Sequence, residues 1–427
     1  MTILLLFATL AVCLVIGVPI AISLGVSALV AIYFGTTLPL DIIAQKAFTS
    51  LDNFSLLAIP FFMLSGVLMG KGGVSKRLLD LAATLVGWIT GGLSLVTIIA
   101  CMFFAAISGS GPATVAAIGG FMIPAMIQKN YAPGFAAAIP AAAGSIGVII
   151  PPSIPFVLYG VIGSVSVGDM FIAGILPGLL IGTSLLILAY FISKKNGYKP
   201  DETEVFDFKD VLKALNEAKW ALMIPVIILG GIYGGIFSPT EAAVIAVVYA
   251  LFIGGFVYKE LTWKNIYESF RETIVINATT MIIIGFSVSF AYFMTLEKIP
   301  GTIAEFLTEL SSSPIVILLI INLFLLVVGM FIDTISALVV LTPILLPVVL
   351  ALGVDPIHFG VILVANLAIG FVTPPLGVNL FVASSVGRVQ FEKIAVAVVP
   401  FIVVMIACIL LITYIPGISL WLVNLAN

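Results

Sequence analysis

The stretch VIIPPSIPF (residues 148–156) carries Pro151, Pro152 and Pro155 inside a run otherwise as apolar as a bilayer-spanning helix. Proline removes a helical hydrogen bond and clashes with the carbonyl four residues earlier, and an unmet backbone group in hydrocarbon costs several kcal/mol. A break at this point therefore needs a purpose. The surrounding chain narrows the choice: its 427 residues are 62% hydrophobic and 9% charged, against about a quarter charged in ordinary soluble domains. Apolar segments of roughly 20 residues, enough to cross about 30 Å of hydrocarbon, recur along it. The sequence reads as an all-α polytopic membrane protein. Its first 34 residues lack the basic start of a signal peptide and are too long for one, so they read as mature membrane structure. Cys13, Cys101 and Cys408 lie in apolar runs without CxxC spacing and read as packing residues.

The break recurs. At an offset of 223 residues, Pro124 falls on Pro347, Pro133 on Pro356, Gly147 on Gly370, and Pro151 and Pro152 on Pro374 and Pro375. Five Pro or Gly coincidences at one offset argue for an internal repeat rather than a chance match of apolar sequence. The first copy (1–192) reads as spans over 2–15 and 18–34, a surface segment over 38–54, and a span over 55–70. A re-entrant hairpin follows over about 91–127, then a span over 133–163 broken at PPSIP, and a last span over 171–192. The second copy (220–427) repeats this with spans over 220–236 and 239–258, a surface segment over 260–273 and a span over 275–295. Its hairpin covers about 314–350, its broken span 356–386, and its last span 392–414. The polar stretch 193–219 reads as the linker. If each hairpin enters and leaves on one side, each copy makes five crossings and the repeats are inverted. Positive charge points the same way: 15 of the 17 Lys and Arg fall on one side, leaving only Lys46 and Lys298 on the other. The basic side is then cytoplasmic, both termini are periplasmic, and the hairpins dip in from opposite faces.

In a continuous helix Pro151 and Pro152 would strip partners from the carbonyls of Gly147 and Val148, and Pro374 and Pro375 from those of Gly370 and Phe371. Unwound carbonyls near the midplane suit a cation, and half-helix ends suit an anionic substrate. One isolated proline would more simply be a kink; paired motifs in register argue otherwise. The first hairpin tip, SGSGP (108–112), offers the hydroxyls of Ser108 and Ser110 and approachable backbone at Gly109 and Pro112, which suits a hard cation; tight small-residue packing is the alternative. Asp333, in GMFIDTISA (329–337), stands in register with Ser110 where a charge costs about 2.5 to 3.5 kcal/mol. It needs a partner, either sodium or substrate chemistry or a structural hydrogen bond to hairpin amides. Gly144, Ser145, Gly329 and Thr373 complete the expected sodium set. The expected substrate set is Ser110, Pro151, Ser153, Asp333, Ser336, Pro375 and Asn379. Glu241, in SPTEA, reads as a helix cap.

Enzyme chemistry finds no foothold. His358 is the only histidine and reads as a loop residue, there is no HExxH or GxSxG, and GVLMGKGG (66–73) lacks the spacing and the Ser or Thr of a phosphate-binding loop. Nothing points to a nucleic-acid partner or a transition metal.

The motifs GVIIPPSIPFVLYG (147–160), GFVTPPLGVNLF (370–381), IFSPTEAA (236–243) and LLAIPFFMLSG (56–66) resemble those of the large membrane subunit of tripartite ATP-independent periplasmic (TRAP) transporters, over essentially the whole chain. The resemblance implies a secondary importer of an organic acid, sialic acid or a C4-dicarboxylate, in a bacterial inner membrane. It implies two or more Na+ as coupling ions, and an elevator in which hairpins and broken helices move against a scaffold. It also implies a separate small four-helix membrane subunit and a periplasmic substrate-binding protein. Related sodium-coupled dicarboxylate carriers place Ser-Asn-Thr at both hairpin tips; SGSGPAT (108–114) and DTISA (333–337) differ, so their substrate contacts do not carry over. A stand-alone sodium/anion symporter of the divalent-anion type is the alternative.

Overall fold

A computed structural model describes residues 2–199, 206–311 and 313–426, and every regular element among them is helical. The helices are α1 (Thr2–Val15), α2 (Ile20–Gly35), α3 (Asp41–Leu51), α4 (Ala58–Lys71), α5 (Val74–Val86) and α6 (Gly92–Ser108). They continue with α7 (Gly111–Gln128), α8 (Pro133–Val148), α9 (Ile154–Ile162), α10 (Val167–Lys195), α11 (Phe208–Tyr233), α12 (Pro239–Val257), α13 (Trp263–Leu296) and α14 (Ile299–Leu310). The remainder are α15 (Pro314–Phe331), α16 (Thr334–Ala351), α17 (Pro356–Gly370), α18 (Val378–Gly387), α19 (Phe391–Tyr414) and α20 (Gly417–Ala426). Nine helices among the described residues are long and apolar enough to cross a membrane. The chain is a multi-pass membrane protein. Shifting α7 by 223 residues lands on α16 at both ends, and α8 shifted alike starts where α17 starts.

Two groups of helices pack together. In one, α8 is enclosed by α6, α18 and α19, while α9 packs on α16 and α10 on α17. The sequence of α8, PGFAAAIPAAAG through residue 144, explains the enclosure: Phe135 through Gly144 are all buried, and small side chains let neighbouring backbones approach closely. In the other group, α1 pairs with α2, α13 crosses α2 and α3, and α4 lies against α12.

Three readings need correction. The stretch 193–219 is not linker throughout, because α10 runs to Lys195 and α11 starts at Phe208, capped by Asp207, whose carboxylate accepts the Lys209 N–H at 2.8 Å. Residues 200–205 of that stretch lie outside the described residues. The reason is periodicity: Ala214, Ala218, Ala221 and Ile224 form a buried stripe, leaving the charges of the segment on the opposite faces. Second, the surface segment 260–273 and the span after it form one 34-residue helix, α13. No Gly or Pro occurs between Trp263 and Ile284 to interrupt it, whereas in the first copy the chain breaks after Leu51 and restarts at Asn53, whose side chain accepts the Ser55 N–H at 2.9 Å. Third, α5 was not expected. It buries Val74, Leu78, Leu81 and Ala82 on one face, with Leu81 against Ala214 and Ala218 of α11.

His358 is also not in a loop. It sits in the first turn of α17, 2% exposed, with Nε2 3.2 Å from the Thr413 carbonyl. It adjoins a buried ladder in which the Asn366 carboxamide donates to Asn322 Oδ1 (2.7 Å) and Asn322 Nδ2 donates to Thr413 Oγ1 (3.0 Å), tying α15, α17 and α19 together. Replacing Asn322 with leucine leaves both partners short of a bond in an apolar interior. The expected loss is about 1–2 kcal/mol, to be read as a lowered unfolding temperature of the purified protein; an unchanged temperature would show the ladder to be energetically silent.

Candidate functional site

Both breaks exist as read. Helix α8 ends at Val148 and α9 begins at Ile154; α17 ends at Gly370 and α18 begins at Val378. The Pro151–Pro152 and Pro374–Pro375 peptide bonds are both cis. Each hairpin turns sharply. Between α6 and α7, Gly109 adopts φ +60, where a side chain would be strained and its Cβ would sit 2.8 Å from the Pro152 carbonyl. Its own carbonyl accepts the Ile154 N–H at 3.5 Å, so the first tip docks on the first break. Between α15 and α16 the turn is Ile332–Asp333, and α15 is seated on the second break through Gly329, whose backbone touches Gly370.

The four features meet. A cavity of about 180 Å³ is lined by Gly109, Ser110 and Pro112 of one tip, by Asp333, Thr334 and Ile335 of the other, by Val148, Ile154 and Pro155 of the first break, and by Phe371 and Val378 of the second. Met63 of α4 and Ile276 of α13 close it from the other helix group. Two half-helices, α9 and α16, start at its wall, so their positive dipole ends flank a space that also holds main-chain oxygens, while their first N–H groups are engaged, Ile154 with Gly109 O, Phe156 with Ser153 Oγ, and Ile335 and Ser336 with Asp333 Oδ1.

The chain matches the family "Tripartite ATP-independent periplasmic transporter, DctM component" over residues 7–418. It belongs to that family. Among curated relatives, it is 53% identical over 416 residues to the isethionate TRAP transporter permease protein DctMQ of Oleidesulfovibrio alaskensis, covering 97% of this chain but 65% of that longer protein. It is 40% identical to the C4-dicarboxylate TRAP transporter large permease DctM of Vibrio cholerae (96% of this chain, 95% of the relative). Identity to the sialic acid TRAP transporter large permease SiaM of the same organism is 39%, over the same shares. In fold it is similar to the YdaH transporter of Alcanivorax borkumensis, with TM-score 0.66 at 14% identity over 90% of this chain and 88% of that one.

Within this DctM permease, Gly109, Ser110, Pro112, Val148, Asp333 and Phe371 line the cavity directly. Gly147, Gly144 and Ser108 lie immediately behind it and are buried, as is Pro151 within the first break: a Cβ on Gly147 would meet the Ser110 carbonyl and Thr114 Oγ1, both at 2.8 Å, and Gly144 O faces Gly111. Ser108 Oγ is 3.0 Å from Thr114 Oγ1, an internal brace of the first hairpin.

The carbonyls are less free than the prolines alone imply. Ser153 Oγ donates to Val148 O at 2.6 Å, Thr373 N–H to Gly370 O at 3.2 Å, and Asn379 N–H to Phe371 O at 2.9 Å. Only Gly147 O lacks a helical donor, because the residue four ahead is Pro151 and the Ile150 N–H donates to Ile146 O. A carbonyl has two lone pairs, so each engaged oxygen keeps one site, but the picture of four bare carbonyls is corrected to one bare and three half-engaged. Asp333 is likewise partnered. It caps α16, Oδ1 accepting the N–H groups of Ile335 (3.0 Å) and Ser336 (3.2 Å) while Oδ2 accepts the Ser336 hydroxyl.

Four expected residues sit elsewhere. Ser336 is buried beneath Asp333 and borders a separate apolar cavity of about 150 Å³ facing α1 and α2. Ser145 spends its hydroxyl on Ala142 O (2.6 Å), Thr373 on Ile369 O (2.8 Å), and Pro375 is exposed. Asn379 is buried at the break and spans the two copies, Nδ2 donating to Ala141 O at 3.0 Å, while its Oδ1 has no partner among the described residues. Sequence reasoning missed Thr334, which lines the cavity with a buried, unpartnered Oγ1; its adjacency to Asp333 was the available signal. Glu241 does cap its helix, in a reciprocal box with Ser238.

Proposed function

We propose that this chain is the large subunit of a sodium-coupled TRAP importer that carries a small organic anion through a bacterial inner membrane, by an elevator movement of two inverted copies. The observation that carries the reading is the single cavity on which both hairpin tips and both helix breaks converge. Sodium, a hard cation, takes oxygen ligands. At the cavity wall the Asp333 carboxylate and the Thr334 hydroxyl, which has no partner among the described residues, supply that chemistry, and the bare Gly147 carbonyl and Asn379 Oδ1 lie buried at the two breaks beside it. Met63 and Ile276 are apolar, which suits a surface that slides past the moving group rather than bonding to it.

For the substrate, the cavity is small, about 180 Å³. That favours a small sulfonate or dicarboxylate over a sialic acid, and the relative with 53% identity is named for isethionate. The proposed partners are a small membrane subunit and a periplasmic binding protein, with both termini of this chain periplasmic. In proteoliposomes holding this chain and both partners, isethionate uptake should require an inward sodium gradient and should stop when the binding protein is omitted. Uptake undiminished without sodium would refute the coupling; uptake by this chain alone would favour the stand-alone symporter.

A further inference from the structure

One end of the bundle collects acids. Thr240 Oγ1 donates to Phe54 O (3.0 Å), the Tyr159 hydroxyl to Pro356 O (2.6 Å) and the Tyr414 hydroxyl to Ile315 O (2.9 Å), which brings the starts of α4, α12, α15 and α17 and the ends of α9 and α19 to that end. Ser289 Oγ donates to Ile43 O (2.9 Å), placing α3 beside the last turns of α13. Asp41, Asp52, Asp169, Glu241, Glu297 and Asp355 stand on this face, exposed or half-buried, and α14 adds Glu305 and Glu309. The lysines beside them are Lys298 and Lys46, whose Nζ sits 4.2 Å over the Tyr292 ring. The rule that keeps Lys and Arg off an outer face explains why cations are scarce there, but Asp and Glu contribute little to orientation. The acids need a reason of their own. On the opposite face charge is balanced locally, Arg77 pairing with Glu260 at 2.8 Å and Lys71 with Glu272 at 3.2 Å.

A cavity of about 470 Å³ lies on the acidic face, where the α9–α10 and α11–α12 turns meet the segment before α4. Asp169, Tyr233, Ser166 and Ser55 give it polar walls, Val165 and Phe237 apolar ones. The Asp169 N–H is engaged with Ser166 Oγ (3.2 Å), whereas no described residue bonds its carboxylate. Phe54 and Ile236, next in sequence to the lining residues Ser55 and Phe237, are 61% and 69% exposed. An apolar centre with an aromatic ring and a charged rim is the anatomy of a protein interface, and a negative field repels anionic lipid phosphates while drawing in a cationic protein surface. We infer that this face docks a soluble protein bearing a lysine- and arginine-rich patch, one cationic side chain of which enters the cavity between the Asp169 carboxylate and the Tyr233 ring. The inference rests on the importer reading above, in which this is the periplasmic end and the partner is the periplasmic binding protein. Asp169 starts α10 in one helix group, and Ser55 and Phe237 precede α4 and α12 in the other. The seated partner therefore touches both groups at once.

The test is biolayer interferometry between nanodiscs holding this chain with its small subunit and the substrate-loaded binding protein of the uptake assay, at about 50 and about 500 mM salt, either side of the range in which exposed charges become screened. Asp169→Asn should weaken binding roughly tenfold at low salt, and Asp52→Asn/Asp169→Asn/Glu297→Gln further, both losses shrinking at high salt. Lys298→Gln, which removes a charge of the partner's sign, should tighten binding. Ile236→Ser should weaken it alike at both salt concentrations. In the uptake assay Asp169→Asn should need more binding protein for its half-maximal rate, with the half-saturating sodium unchanged. Wild-type affinity in Asp169→Asn at low salt, or a wild-type affinity indifferent to salt, would overturn the docking face and leave the importer reading standing. A raised sodium requirement with unchanged affinity for the binding protein would overturn it too, making the acids a collector of cations. No binding to wild type at either salt concentration would remove both the inference and the partner on which it rests.

Discussion

Asp333→Ala is expected to cut sodium-driven uptake at least tenfold, and Asp333→Asn is expected to do nearly the same while leaving stability almost intact. The two variants separate the two jobs of one carboxylate. As the cap of α16, Asp333 satisfies the N–H groups of Ile335 and Ser336, a contribution of about 1 kcal/mol that alanine removes and asparagine, itself a good cap, keeps. As a wall of the cavity it presents negative charge beside the tip residues Gly109 and Ser110, and only the carboxylate supplies that charge. The half-saturating sodium concentration for uptake should therefore rise about tenfold or more in both variants, equivalent to about 1.4 kcal/mol, whereas the unfolding temperature should drop only in Asp333→Ala. If Asp333→Asn shows the wild-type sodium dependence, the residue is a cap and nothing else.

That pairing of roles marks how far the sequence could be read. Paired prolines in an apolar run have few physical outcomes, so both breaks were legible, and the second hairpin, expected over about 314–350, is formed by α15 and α16. The tips were legible because Ser, Gly and Asp in hydrocarbon demand a reason. What the linear chain conceals is where a freed group finds its partner. Ser153 turns back on Val148 and Asn379 turns back on Phe371, contacts that depend on how the backbone resumes after the prolines rather than on the prolines themselves. The Asn322–Asn366 bond joins residues 44 positions apart, and neither asparagine has any local pattern announcing it. Helix α5 escaped notice because its mixed surface is too polar for a span, and its apolar face has meaning only beside Ala214 and Ala218 of α11. The long polar stretch was misjudged for the same reason, its buried stripe being matched to a partner far away in the chain.

The largest loss should come from a single methyl group. Gly370→Ala is expected to abolish uptake, because a Cβ there would lie 2.2 Å from the Gly329 carbonyl oxygen and 2.3 Å from its carbon. Both are backbone atoms, so no rotamer can yield. Helix α15 must then move off α17, carrying the second tip away from the first, and overpacking of this kind costs about 1–3 kcal/mol. Shifts of about 1 Å are enough to spoil a binding constellation. Gly147→Ala presses on the Ser110 carbonyl and Thr114 Oγ1, each 2.8 Å away, and should impair uptake from the other side of the cavity, less severely because this overlap is shallower than the one at Gly370. Gly120→Ala is the control: nothing lies within 4 Å of its added methyl, and alanine is the better helix former by about 1 kcal/mol. Substrate uptake and unfolding temperature measured on all three decide the matter. Gly370→Ala transporting at the wild-type rate would mean that close seating of the second hairpin on the second break is not required, and the convergence of the four elements on one cavity would lose its functional meaning.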